Sequence, residues 1–137
     1  MYNLTILSPT KKVFTGLVTS VTLPSIGGEM TALPTHMPLI TTLGVGEVRV
    51  KTKEDITSYT VGKGVFFCEG KNATLLVEDI SASHEISEEK ALQGQKEAQE
   101  IIAKGVIGEE KSHAQYLLKR NLIDLKLVRK IKNRRLN

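Results

Sequence analysis

Residues 27–38 contain the side chains with the most evident chemistry, a carboxylate at Glu29 and an imidazole at His36. A carboxylate and an imidazole can form part of a catalytic dyad or of a metal site, but either use requires further groups nearby. The neighbouring sequence offers no serine or cysteine nucleophile with a partnering base, and no further metal-ligand residues cluster there. The pair is therefore interpreted as part of a contact surface.

The backbone of this segment is predicted to be a structured loop. Pro34 and Pro38 fix φ and remove backbone donors, while the adjacent Gly27 and Gly28 admit positive φ angles. A segment rich in both residue types cannot be a regular helix or a central strand. We expect a short strand over residues 29–33 inside the loop.

Other reactive side chains are few and isolated. The single cysteine, Cys68, excludes an internal disulfide and a cysteine-based zinc site, and its apolar neighbours predict a buried strand residue. His84 begins the sequence H-E-I-S-E, which lacks the second histidine of a zinc-binding helix, and His113 is isolated. The glycine pairs around Val45 and Lys63 lack the spacing of a phosphate-binding loop and are predicted to be hairpin turns. No metal and no cofactor is expected.

Length and composition bound the remaining possibilities. A chain of 137 residues, 40% of them apolar, suffices for one domain or for a small domain with an appendage. No apolar run approaches the roughly 18–20 residues of a membrane span, so no direct membrane insertion is expected. Residues 1–9 alternate in polarity and lack the basic and apolar regions of an export signal.

The first part of the chain, residues 1–84, has the alternation of a β domain. Some eight or nine short apolar-polar runs are separated by turn residues, which is typical of an antiparallel sandwich or barrel. No helical pattern alternates with these runs, so a parallel sheet is excluded. The predicted strands are 2–7, 13–15 (ended by Gly16), 17–23, 29–33, 39–43, 47–51, 56–61, 65–68 and 73–77.

Residues 85–137 are predicted to form an antiparallel hairpin of two helices. Ser87 is a suitable N-cap for a first helix to about Lys104, and Gly105 supplies its end. Glu109 and Glu110 begin a second helix that reaches roughly Lys132. The complete prediction is an α+β chain with a β-sandwich or barrel followed by this hairpin.

The predicted seam of the hairpin is weak. The first helix contributes mostly small side chains, which bury little apolar area, and Gly94 costs about 1 kcal/mol of helix propensity relative to alanine. We therefore expect the hairpin to open more readily than the β domain. The seam residues are predicted to be Ala91, Gly94, Ala98 and Ile101 or Ile102, facing Ala114, Leu117, Leu118, Leu122, Leu125 and Val128.

The second helix carries the sharpest charge asymmetry of the chain. A single carboxylate, Asp124, accompanies many cations, which allows three interpretations: a solvated face, a docking surface for an acidic partner, or a nucleic-acid surface. No aromatic side chain is interleaved for base stacking, which argues against nucleic acid. The cations are Lys119, Arg120, Lys126, Arg129 and Lys130, followed by Lys132, Arg134 and Arg135.

The whole chain resembles the epsilon subunit family of the F-type ATP synthase. The residues that carry the resemblance are Phe14, Thr15 and Gly16, then Gly28 and Glu29, and the run L-P-T-H-M-P-L from Leu33 to Leu39. They are similar to the family's stretch G-E-(hydrophobic)-G-(hydrophobic)-L-P-G-H-A-P-L. Thr31 and Thr35 stand where the family usually has glycine, and Met37 where it has alanine, so the conformation of the loop is expected to differ somewhat.

The resemblance implies a non-catalytic rotor subunit of the central stalk, which couples the ring of membrane c subunits to the gamma subunit. Glu29 matches a position that faces the ring, His36 matches one near gamma, and Leu33 and Pro34 belong to the same contact. The basic helix (Lys119, Arg120, Lys126, Arg129 and Lys130) would meet an acidic loop of the beta subunits and regulate ATP hydrolysis. Such a subunit would be peripheral, on the cytoplasmic face of a bacterial plasma membrane or the stromal face of a plastid thylakoid.

Some family members bind nucleotide through a pattern I/L-D-x-x-R-A. The chain has Ile86, Lys90 and Ala91 at the corresponding positions, with Ser87 in place of the aspartate and Lys90 in place of the arginine. The first replacement removes a negative charge, and the second keeps the positive charge but loses the planar guanidinium, so ATP binding is not the expected outcome.

Two alternatives from other classes stay open on the residues alone. One is a free-standing adaptor that binds an acidic partner or nucleic acid through the basic helix. The other is a sandwich that binds a small ligand, for which the sequence offers no convergent polar cluster.

Overall fold

A computed structural model describes residues 1–34, 38–83 and 86–136, with side chains described as far as residue 131. Its contacts divide the chain into two compact units, Met1–Ala82 (the β unit) and Ser83–Asn137 (the helical unit). Within the described ranges the β unit has ten strands. They are β1 Tyr2–Leu7, β2 Lys12–Val18, β3 Ser20–Ser25, β4 Gly28–Ala32, β5 Leu39–Leu43, β6 Gly46–Lys51, β7 Ile56–Val61, β8 Gly64–Glu69, β9 Asn72–Val77 and β10 Ile80–Ala82.

The strands form one curled sheet in the order β10-β7-β6-β3-β5-β8-β9-β1-β2, with β4 paired to β3. Only one residue pair, Ser25 with Leu43, joins β3 to β5, so the sheet changes direction there. Inward side chains from both halves form a single core, for example Leu4 and Phe66 from one half and Val48 from the other. The predicted combination of a β-sandwich with a helical hairpin is confirmed.

Three details of the β unit differ from the prediction. The pairing of β1 with β9 is parallel, because the chain crosses the unit between them, whereas the other pairings in the described residues are antiparallel. Gly16 does not end β2 but pairs with Leu4 inside it, and the Phe14 ring lies 3.3 Å from where a Cβ would be. The short strand β10 was not predicted, because its hydrogen-bonding partner, β7, is distant in sequence.

The helical unit contains α1, Glu88–Ala103, and α2, Gly108–Leu136. The predicted N-cap is confirmed, since the Ser87 hydroxyl accepts a hydrogen bond of 3.3 Å from the backbone N–H of Lys90. Gly105 follows α1 with a φ of 80°, a left-handed conformation that favours glycine at a helix end. The second helix begins one residue earlier and ends later than predicted.

The faces of α2 are only partly as predicted. Ala91 and Ala98 of α1 and Ala114 and Leu125 of α2 are buried, as expected for the seam. The prediction was wrong for Leu122, which is 45% exposed, and it missed Leu127, which is 1% exposed. The two leucines were misassigned because the strongly basic pattern of α2 leaves several possible apolar faces. 

Candidate functional site

The carboxylate predicted to be a contact residue, Glu29, lies on β4 with an exposed side chain. Its Oε1 accepts a hydrogen bond of 2.9 Å from Nη2 of Arg49, which lies two strands away on β6. Leu33, just beyond β4, is exposed, and Pro34 is half-buried. The predicted partner residue His36 lies outside the described residues. Glu29 and Leu33 are thus accessible, as a contact surface requires.

Arg49 was not predicted as part of this site. Its Nη1 donates to Oε1 of Glu47 at 3.3 Å, and the same oxygen accepts from the Ser58 hydroxyl at 3.5 Å. Burial lowers the pKa of Arg49, but its hydrogen bonds and charge interactions with Glu29 and Glu47 raise it by more, and the net direction is upward. The guanidinium therefore stays charged and holds Glu29 in place. Alternation along β6 was the available signal, since Glu47 and Arg49 share its outer side.

Tyr2 connects the first strand to the start of the loop. Its hydroxyl donates a hydrogen bond of 2.6 Å to the carbonyl oxygen of Ala32, the last residue of β4, and the ring is buried in the core. Burial, and to a smaller extent the electrostatic effect of Cys68, raises the pKa of Tyr2 to about 12. This hydrogen bond fixes the position from which residues 33 and 34 leave the sheet.

One outer face of the β unit is apolar. Ile40 of β5 is 77% exposed, Phe67 of β8 is 40% exposed, and Leu76 of β9 is 42% exposed. Ile40 and Phe67 are register partners, so their side chains lie next to each other on this face. We call this surface the apolar face; it also includes Leu7 and Val65, which are the register partners of Leu76. Contiguous exposed apolar surface of this kind marks interaction sites.

The apolar face was missed because the sequence analysis predicted an apolar strand over residues 65–68 without assigning an outward side to it. A signal was present: in a two-layer β domain one side of each strand faces outward, so a strand with apolar residues on both sides exposes some of them. The outer side of the other half is polar by contrast. There the hydroxyls of Thr22 and Thr31 are 3.0 Å apart, beside the Glu29–Arg49 pair.

The basic residues of α2 fall into two groups. Lys119, Lys126 and Arg129 are exposed, Lys130 is half-buried, and spacings of seven and four residues place the three lysines on one side of the helix. Arg120 differs, since its side chain is 12% exposed and lies 3.6 Å from Asp124, one turn along α2. The predicted basic surface therefore consists of the other four residues, and Arg120 is a structural partner of Asp124.

The residues of the proposed nucleotide pattern lie at the start of α1. Ala91 is buried in the seam of the hairpin, Lys90 is exposed, and Ile86 is half-buried. Ser87, which replaces the aspartate of the pattern, uses its hydroxyl as the helix cap. In the described residues no group of three or more histidine, cysteine or acidic side chains could hold a metal ion. No helix among them combines the length and the apolar character needed to cross a membrane.

The chain is similar to known proteins over its full length. Residues 1–83 match the family model described as "ATP synthase, Delta/Epsilon chain, beta-sandwich domain". The ATP synthase epsilon chain of Ruthia magnifica is 27% identical over 131 residues, which are 96% of this chain and 95% of that one. The chloroplastic epsilon chain of Tetradesmus obliquus is 31% identical over 117 residues, 85% and 86% of the two chains.

The fold is also found among solved structures. A chain in the cryo-EM structure of the Euglena gracilis mitochondrial ATP synthase, OSCP/F1/c-ring in rotational state 1, superimposes with a TM-score of 0.77. The match covers 86% of this chain and 75% of that one at 17% identity.

Proposed function

This chain belongs to the ATP synthase delta/epsilon chain family, and from that premise we propose that its β unit joins the gamma subunit to the ring of membrane c subunits. An epsilon chain is a non-catalytic stalk subunit, so its function lies in binding rather than turnover. Two surfaces of the β unit have the chemistry for two different partners, one apolar and one charged.

The apolar face is the observation that carries the proposal for gamma. Burial of exposed apolar side chains such as Ile40 and Phe67 against a partner contributes about 25 cal/mol to the binding free energy for each Å² removed from water. A stable interface covers roughly 800 Å² on each partner, and its energy concentrates in a few central anchors, commonly aromatic. Phe67, next to Ile40 and near the middle strand of its half, has the position of such an anchor.

The start of β4, where Glu29 lies, is proposed as the contact with the c ring. Glu29 presents a carboxylate whose orientation is fixed by Arg49, which lowers the entropy cost of a polar contact. Leu33, Pro34 and His36 follow directly in sequence and would complete the contact between ring and gamma.

A direct test compares matched charge insertions. The double variant Ile40→Glu/Phe67→Glu places two carboxylates on the apolar face, and Ile56→Glu places one on an exposed apolar position of β7. Affinity-tagged full-length chain is expressed with its ATP synthase, and the recovered gamma subunit is quantified. We expect the double variant to recover at least tenfold less gamma and Ile56→Glu to match the unmodified chain. Equal recovery of gamma by all three proteins would refute docking through this face.

We propose a regulatory role for the helical unit. The exposed cations Lys119, Lys126 and Arg129, with the half-buried Lys130, suit an acidic loop such as one on the beta subunits, and contact with it would hinder ATP hydrolysis. Such a switch requires a ligand or neighbour that binds the two arrangements of the hairpin with different affinity.

Deletion of residues 88–137 tests this regulatory role. The assembled complex should form as before and hydrolyse ATP faster than the unmodified complex. A complex that no longer assembles would indicate instead that the hairpin is a structural component.

The proposed location follows from the complex. An ATP synthase subunit is part of a membrane-associated assembly, and we place this one peripherally on the cytoplasmic face of a bacterial plasma membrane. Chloroplastic epsilon chains are also among the relatives, which makes the stromal face of the thylakoid the alternative. Fractionation of membranes, followed by release of the chain together with gamma, distinguishes a peripheral subunit from a free adaptor.

A further inference from the structure

The apolar face ends in a cleft with a volume of about 450 Å³. Its floor is a row of register partners on adjacent strands, in which Leu76 of β9 lies between Leu7 of β1 and Val65 of β8. Pro9, in the turn after β1, forms one wall. At Gly64 an added Cβ would collide with the carbonyl oxygen of Leu76, so β8 and β9 leave no room there for a side chain. The cleft is therefore built by the pairing of three strands and is continuous with Phe67 and Ile40.

The mouth of the cleft is positively charged. Lys11 and Lys63 line it and are exposed, and among the described residues no carboxylate pairs with either ammonium group. Glu78 also lies at the mouth, where its Oε1 accepts a hydrogen bond of 3.3 Å from the backbone N–H of Lys63. Two cations and one carboxylate leave a net positive mouth above an apolar floor.

We propose that this cleft binds an apolar side chain of the gamma subunit that is flanked by a carboxylate. The inference rests on the proposed docking of gamma and adds to it the position of an anchor and the chemistry of the segment that fills it. A side chain that fills a well-packed, desolvated pocket of an interface carries a large share of the binding energy. The unpaired lysines favour an adjacent acidic residue, because exposed complementary charges speed association and align the partner.

The shape of the cleft favours a side chain of a partner over a free small molecule. Most of its lining residues are apolar, and its charged lining residues are Lys11, Lys63 and Glu78. A small-molecule site needs a few convergent polar groups to fix the orientation of its ligand. A side chain that belongs to a docked protein needs no such groups, since the rest of the interface orients it.

Two variants test the two parts of this proposal. Leu76→Ala removes the floor of the cleft, with Ile56→Ala as the control on the other half. Lys11→Glu/Lys63→Glu reverses the charge of the mouth, and Lys51→Glu/Lys53→Glu makes the same change in charge on and beside β6. The dissociation constant of each full-length variant for the purified gamma subunit is measured at low and high salt, after circular dichroism and thermal melting confirm folding.

We expect Leu76→Ala to weaken binding about tenfold, as for an interface anchor. The lysine reversal should weaken it at least tenfold at low salt and by much less at high salt. Both controls should remain within about twofold of the unmodified chain. If the reversal at the mouth and its control behave alike, the acidic neighbour is refuted.

Normal binding by Leu76→Ala refutes the anchor. In that case the variant Ile40→Glu/Phe67→Glu tests whether gamma docks on the apolar face at all. If this variant abolishes binding, docking through the apolar face stands without the anchor in the cleft. If it too binds normally, the proposed docking of gamma fails as well. The failure of the anchor and the failure of the proposed function are thereby separated.

Discussion

Replacing Gly94 of α1 by alanine should destabilise the hairpin, although the same change stabilises an ordinary helix. A Cβ at this position would lie 2.7 Å from both Nδ2 and Oδ1 of Asn121 on α2. That distance is shorter than any real contact of a Cβ atom. Asn121 cannot simply turn aside, because its Nδ2 donates a hydrogen bond of 2.7 Å to the carbonyl oxygen of Leu117.

The magnitude follows from two opposing terms. Helix propensity favours alanine over glycine by about 1 kcal/mol. Overpacking of a tight contact costs typically about 1–3 kcal/mol, and loss of the Asn121 hydrogen bond would add about 1 kcal/mol. Gly94→Ala should therefore lower the free energy of opening of the hairpin by roughly 1–3 kcal/mol. The sequence interpretation of Gly94 as a simple propensity cost left out this contact.

Asn121→Ala provides the matched background, because it removes the amide that the new Cβ would meet. In that background Gly94→Ala should become stabilising by up to about 1 kcal/mol, which is the propensity term alone. Gln99→Ala, at an exposed position of α1, is the control for effects of propensity.

Hydrogen exchange of the α1 backbone amides reports the opening free energy in each of these proteins. The coupling between positions 94 and 121 is then obtained from the double-mutant cycle. Equal effects of Gly94→Ala in the two backgrounds would show that Asn121 does not constrain the seam, and would refute this account.

Three further predictions concern stability. Amide exchange should be faster in residues 88–132 than in residues 2–77, since the seam of the hairpin is rich in alanine; equal protection would contradict this. Burial raises the pKa of Tyr2 from its ordinary value of 10.0 to about 12, so above pH 10 the unfolded chain loses its phenolic proton first. Its stability contribution is complete below pH 10 and falls by roughly 3 kcal/mol as the pH rises to 12. Urea unfolding of Tyr2→Phe should lack this component, and an unchanged pH profile would show that another group is responsible. Arg49→Met leaves the carboxylate of Glu47 without its guanidinium and should cost about 1–3 kcal/mol in urea unfolding, whereas Lys51→Met, on the same side of β6, should cost little. A similar loss in both variants would refute the role of the Arg49 pairs.

Local patterns in the sequence were sufficient for most of the elements. The strand at residues 56–61 and the cap at Ser87 depend on neighbours a few positions away; the strand was predicted with its observed bounds, and Ser87 was predicted as the N-cap that it is. The features that were missed depend on distant partners. The residues around Gly16 do not indicate that it pairs with Leu4, and the residues around 80–82 do not indicate that they pair with β7.

The candidate site shows the same division. Glu29 and Leu33 were identified from a sequence pattern, and both are exposed. Arg49 lies 20 positions from Glu29 along the chain, and only the pairing of β4, β3 and β6 brings them together. The outward direction of Phe67 could not be read from an apolar strand, because period-two alternation does not distinguish the two sides when both are apolar.

The parallel pairing of β1 with β9 has a consequence for synthesis of the protein. Asn3 pairs with Asn72 and Leu7 with Leu76, so β1 acquires one of its two neighbouring strands only after the rest of the β unit up to β9 has been translated. Until then Leu4 and Ile6 can be covered only through the hairpin with β2, which is marginal by itself in water. The unpaired side of β1 is therefore exposed to aggregation during translation. Folding of the β unit becomes cooperative only when residues 72–77 have left the exit tunnel.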